Sequence, residues 1–177
     1  VSKFDIDECM IDHGSRVKSV RVDITRYNVY AIGDVHGCGS EMNDLITKCI
    51  KHSYQENKLA KIYFLGDLID RGPDFYDVFL TLHKFSFVEC IIGNHELNFY
   101  LERMGKECRS RSRRISHEKF EKLEECQQEF VMKSIGDMPN AVIVEIFDDT
   151  GDLIPFLLSH APVRNIEFIE LESVYST

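Results

Sequence analysis

The chain has 177 residues, of which 44% are hydrophobic and 29% charged, with a formal net charge of −9; this suits one globular domain with a real core. An acidic surface repels a phosphate backbone, which argues against general nucleic-acid binding, and no apolar run approaches the ~20 residues that span a bilayer. No secretory signal pattern opens the chain, and six cysteines without a Cys-x-x-Cys pair read as reduced thiols, several in the core, of a cytoplasmic protein.

Residues 1–16 carry mixed charge without period and read as an arm. Val20, Val22 and Ile24 alternate with Arg21 and Asp23, the period of a half-buried strand. Asn28–Ile32 is a second strand, ending at Gly33-Asp34. Ser40 suits a helix N-cap, and Met42, Leu45, Ile46, Cys49 and Ile50 then mark one helical face. A third strand, Lys61–Leu65, follows, and Pro73 suits the first turn of a helix that turns Val78, Phe79 and Leu82 inward. Val88–Ile92 is a short strand, and the pattern from His95 to Met104 is helical. The arginine-rich run Arg109–Arg114 reads as a solvated loop, with a phosphate-recruiting patch as the sharper alternative. Ile115–Ile135 reads as one long helix, and Ala141–Phe147 with Leu153–Ser159 as a hairpin added to the motif-bearing sheet. Strands alternating with helices predict an α/β fold, a central mixed sheet flanked by helices, with ligands gathered at the carboxyl ends of strands. Residues 1–28 divide off as arm and strand, and 29–177 as the main domain.

The motifs stand at those strand ends. Phe64–Gly72 leaves a strand at Gly66 and presents Asp67, Asp70 and Arg71 within five residues. Hard cations want oxygen ligands and arginine forks onto phosphate oxygens, so this loop suits a metal-and-phosphate site. An acidic turn with an internal ion pair is the bland alternative. Three further blocks weigh against it: Gly33-Asp34-Val35-His36-Gly37 upstream, then Gly93-Asn94-His95-Glu96 and Leu158-Ser159-His160-Ala161 downstream. His13, His52, His83 and His117 fall outside any such spacing and read as ordinary histidines.

In that order, across Tyr30 to Pro162, the four blocks resemble the metallophosphoesterase superfamily, in particular its phosphoprotein-phosphatase branch of bacterial and phage serine/threonine phosphatases. The resemblance implies two divalent metal ions, manganese foremost, with iron, zinc, nickel or cobalt as alternatives. Asp34, His36 and Asp67 would hold the first, and Asp67, Asn94 and His160 the second. Such a pair of ions holds a hydroxide for direct in-line attack on a phosphomonoester. Asn94 and Arg71 would meet the substrate phosphate, Arg71 also stabilising transition-state charge. His95, pointing away from the metals, would be the general acid, oriented by Asp70; a neighbouring carboxylate favours the donating form of an imidazole. Glu96 reads as a supporting hydrogen-bond partner.

The expected substrate is a phosphoprotein or small phosphoester, through phosphoserine or phosphothreonine hydrolysis. The close alternative is a dinucleoside polyphosphate or a nucleic-acid phosphate end. The Asp70-Arg71-Gly72-Pro73 sequence favours the former, because symmetrical dinucleoside tetraphosphate hydrolases commonly carry alanine in place of this aspartate. The family's further metal-binding histidine and second phosphate-binding arginine have no clear counterpart, since no histidine follows His160. The expectation is therefore a domain incomplete at its C-terminus. A non-catalytic remnant that binds metal or a partner is the alternative of another class.

Overall fold

The computed structural model describes residues 16–106 and 114–161. Its centre is a parallel sheet of β2 (Tyr27–Ile32), β3 (Leu59–Phe64) and β4 (Val88–Cys90), in that order. β3 shows why the sheet sits between two layers. Its side chains alternate, so Ile62 and Phe64 join one buried cluster while Tyr63 joins another, and all three are fully buried. The Ile62 face is covered by α1 (Gly39–Gln55), α2 (Asp77–Lys84), α3 (Asn94–Arg103), α4 (Arg114–Phe120) and α5 (Glu125–Gly136). Met42, Ile46 and Cys49 of α1, and Val78, Phe79 and Leu82 of α2, are buried at helical spacing in this cluster.

The Tyr63 face meets a second sheet, of β1 (Val17–Asp23), β5 (Ala141–Phe147) and β6 (Leu153–Ser159). Here β1 runs parallel to β5 and β5 antiparallel to β6. The hairpin expected at Ala141–Ser159 is present, but it pairs with β1 and not with the motif-bearing sheet. Val22, Val142 and Val144 pack on Tyr63 and Ile91, so it lies across the central sheet as a separate layer. The expected boundary at residue 28 falls inside β2, and β1 pairs with β5 along its whole length.

Three local expectations also change. The helix expected over Ile115–Ile135 is two helices, because Glu124 takes an extended conformation and its N–H donates to Gln127 Oε1 at 3.0 Å. Gln128 Nε2 then donates to the carbonyls of Phe120 and Leu123, each at 3.1 Å, closing the end of α4. Cys38, not Ser40, holds the N-cap position of α1, and the free N–H of Gly39 is met by Asp74 Oδ2 at 3.1 Å. Pro73 lies ahead of α2, which starts at Asp77. Cys49 and Cys90 are buried thiols, whereas Cys126 is exposed. No described helix is long and apolar enough to cross a membrane. The 1–15 arm, and residues 109–113 of the arginine run, lie outside the described residues.

The core between the sheets holds one polar misfit. The Tyr63 hydroxyl is buried with no hydrogen-bond partner among the described residues, and burial pushes its ionisation up. A buried unsatisfied hydroxyl costs ~1–3 kcal/mol. Tyr63→Phe should therefore stabilise the fold by about 1 kcal/mol, read from chemical denaturation. A loss of stability would show that the hydroxyl is bonded.

Candidate metal and phosphate site

Each of the three parallel strands ends in a glycine-containing loop, and the loops interlock through their backbones. The carbonyl of Asp67 accepts the N–H groups of Val35 and His36, at 3.0 and 2.8 Å, and Gly37 N donates to Leu68 O at 2.6 Å. Gly72 N returns a bond to His36 O at 2.7 Å. Such closeness leaves no room for side chains. A Cβ on Gly93 would stand 2.2 Å from Asp67 N, and one on Gly72 would stand 2.4 Å from Gly37 O. His36, Asp67, Asp70 and Arg71 all adopt positive φ, between 49° and 69°. Four non-glycine residues in that region mark a backbone held under strain by its surroundings.

Glu96 does much of the holding. It lies in the first turn of α3, is fully buried, and accepts three backbone N–H groups: Asp67 at 2.9 Å, Ile69 at 3.0 Å and Gly93 at 3.0 Å. Burial pushes its carboxyl upward, the N–H of Ile69 works against that, and the nearby Asp67 carboxylate adds to the rise. One side chain thus fastens the Asp67 loop to the Asn94 loop. Its partners are main-chain groups, so a sequence motif can record its presence but not its purpose.

The side chains these loops present converge. His36 is buried, and its Nδ1 donates to the carbonyl of Ile69 at 3.0 Å. Its Nε2 is buried without a hydrogen-bond partner among the described residues, 3.5 Å from Asp34 Oδ2 and 4.0 Å from Asp67 Oδ2. His160, at the end of β6, likewise donates Nδ1 to a carbonyl, that of Leu65, at 2.7 Å. Its Nε2 lies 2.9 Å from Asn94 Oδ1 and 3.4 Å from Asp67 Oδ1. A neutral imidazole that donates from Nδ1 offers only a lone pair at Nε2. Lone pairs facing carboxylate oxygens repel unless a cation stands between them, so this donor set fits divalent metal ions. Two groups of donor atoms, His36/Asp67/His95 and Asp34/Asp67/His160, each lie within 4.8 Å of one another, and Asp67 belongs to both.

His95 departs from its expected orientation. Its Nδ1 bonds to Asp70 Oδ2 at 2.5 Å, which turns Nε2 inward, 3.6 Å from Asp67 Oδ2, and not away from the cluster. Its ring also meets that of His36 edge-on, with centroids 4.9 Å apart. Asp70 is buried, Asp34 and Asn94 are exposed at the mouth, and Arg71 is exposed with no ion-pair partner among the described residues. Two residues that sequence reasoning passed over join from α4. Ser116 Oγ donates to Asp70 Oδ1, and Lys119 Nζ donates to the carbonyls of Gly72 and Pro73 at 2.6 and 3.0 Å. No motif links that helix to the loops. His117 pairs with Glu102 at 2.6 Å, outside the cluster.

The model of the calcineurin-like phosphoesterase family matches residues 27–174. Curated relatives include symmetrical bis(5'-nucleosyl)-tetraphosphatases. That of Coxiella burnetii is 37% identical over 70 residues, 40% of this chain and 23% of its own length. That of Buchnera aphidicola is 36% identical over 72 residues, covering 40% and 25%. That of Wigglesworthia glossinidia brevipalpis is 40% identical over 76 residues, covering 41% and 25%. The chain thus aligns with about a quarter of these relatives' length. A solved structure described as a putative diadenosine tetraphosphatase superposes with a TM-score of 0.52 at 17% identity, covering 73% of this chain and 50% of that one. That likeness carries the fold.

Glu96→Gln keeps the shape but replaces one acceptor oxygen by an NH2 that faces N–H groups. The variant should lose about 2–3 kcal/mol of stability, the scale for unsatisfied buried polar groups, and bind divalent metal more weakly. Denaturation and metal titration check both; unchanged stability would mean that Glu96 is not the fastening.

Proposed function

The chain belongs to the calcineurin-like phosphoesterase family, and from that premise we propose that it acts as a metal-dependent phosphohydrolase on dinucleoside polyphosphates. The observation that carries the metal chemistry is Asp67, whose carboxylate is shared by two converging donor groups. The substrate class rests on the relatives, which are named as tetraphosphatases. They favour this class over the phosphoserine or phosphothreonine substrate that the sequence motifs suggest.

Asp34, His36 and Asp67 would hold one ion, and Asp67, Asn94 and His160 the other; manganese is the ion proposed. When bound, the two ions supply charge that neutralises phosphate oxygens and activates water. The protein's own share lies in placement. The Nδ1–H of His36 and of His160 is tied to a carbonyl, which keeps each Nε2 lone pair turned to the site. Arg71, exposed at the loop's end, would fork onto phosphoryl oxygens as charge builds there. His95, held by Asp70, would give its Nε2 proton to the departing oxygen.

That last pair favours a second reading. A nucleotide leaves as a stable phosphate anion and needs little protonation, whereas a serine or threonine alkoxide needs a proton to leave at all. The Asp70–His95 bond thus supports phosphomonoester hydrolysis. A side-by-side assay of diadenosine tetraphosphate, a phosphoserine peptide and a 2′,3′-cyclic nucleotide, with saturating manganese, separates the readings. The proposal expects the tetraphosphate to be consumed fastest. A faster phosphopeptide would move the assignment to the second reading, and inertness towards all three would favour a non-catalytic role.

Two substitutions test the assigned parts. Asp67→Asn should lose metal and turnover together. His95→Asn should keep the metal content and lose about a hundredfold in kcat on a phosphopeptide, within the range for general acids. Loss of metal from the His95 variant would make this imidazole a ligand instead.

A further inference from the structure

We propose that Ser116 is a positioning residue for the acid–base pair: its hydroxyl fixes the Asp70 carboxylate that orients His95. This rests on the assignment of His95 as proton donor. Asp70 has a fully buried side chain on a loop at positive φ, so neither water nor relaxed backbone geometry sets its orientation. Its two oxygens are instead divided between two donors, His95 Nδ1 at Oδ2 and Ser116 Oγ at Oδ1. A carboxylate held at both oxygens cannot rotate about its Cβ–Cγ bond, so the imidazole it accepts from is held in turn.

This hydroxyl is spent on a distant loop and not on its own helix. Ser134 and Thr47 direct theirs to the carbonyl four residues back in their own helix, at 2.7 and 2.9 Å. Ser116, only 1% exposed, directs its own to a loop 46 residues away. Its helix is anchored for the purpose. Phe120 packs against Phe75 and Phe99, and Lys119 grips the two carbonyls that follow Arg71. Ser116 and Lys119, three residues apart on one face of α4, therefore hold opposite ends of the Asp70–Pro73 segment.

The test compares Ser116→Ala, the volume-matched but weaker donor Ser116→Cys, and Ser116→Thr, in the full chain with saturating manganese. Substrates are phenyl phosphate, whose leaving group needs a proton, and p-nitrophenyl phosphate, whose leaving group needs it far less. Ser116→Ala should lower kcat on phenyl phosphate about tenfold, as expected for lost support of a working group, with p-nitrophenyl phosphate turnover, KM and bound manganese little changed. Ser116→Cys should fall between, and Ser116→Thr should restore the rate. Equal losses on both substrates would indicate a merely structural serine and overturn the proposal. In parallel, with diamagnetic zinc in place of paramagnetic manganese, proton NMR follows the hydrogen-bonded Nδ1–H of His95, assigned by its disappearance in His95→Asn. That signal should shift or broaden in Ser116→Ala and Ser116→Cys. If the parent hydrolyses neither ester, the phosphomonoester reading fails, the dinucleoside polyphosphate reading stands untouched, and the NMR signal decides: a shift upholds the positioning, and an unmoved signal overturns it. Should Ser116→Ala not fold, the rate ratio and signal of Ser116→Cys decide in its place.

Discussion

A carboxylate with no access to water binds the site together. Glu96 accepts N–H groups from Asp67, Ile69 and Gly93, and so joins two loops that the chain separates by a strand and a helix. Asp67 extends the bond in every direction. Its N–H goes to Glu96, its carbonyl takes Val35 and His36, and its Oδ1 takes the N–H of His95 at 3.2 Å. An ionised carboxylate in a buried place is stable only when its lone pairs are met by donors. Three main-chain donors meet that need, and meeting it fixes the loops.

That fastening explains why the backbone can carry so much strain. Left-handed conformations at non-glycine residues cost ~1–3 kcal/mol each, and His36, Asp67, Asp70 and Arg71 all adopt them. The return is a set of side chains aimed at one small volume. His36 and His160 have their outer nitrogens occupied by carbonyls, so the inner ones have little freedom but to face Asp67. Under the proposed assignment, most of the ordering that metal and substrate require is already done by the fold.

Much of this is legible in the amino-acid sequence, and the remainder fails for identifiable reasons. The blocks around Asp34, Asp67 and Asn94 are local. Glycines at the turns, a strand before each and a helix after each leave a clear trace, and the structure brings these residues together. Glu96 is visible beside them, but its function depends on N–H groups 27 and 29 residues away, which no local pattern encodes. Ser116 is harder still, a small polar residue in a charged helix whose partner is remote. Sheet membership misleads for the same reason. The apolar runs of β5 and β6 mark them as a strand pair without saying which sheet they join, and only the parallel pairing of β5 with β1, at the far end of the chain, assigns them to the other layer. The inward turn of His95 follows from the direction of the Asp70 bond, which spacing does not fix.

Under the proposed function, Asp67 stands between two metal ions. Crystals of the protein grown with manganese, measured at the manganese absorption edge, would test it most directly. The account predicts two anomalous peaks flanking the Asp67 carboxylate, one beside His36 and Asp34 and the other beside Asn94 and His160. No peak at Asp67, or manganese bound only at other acidic positions, would contradict it.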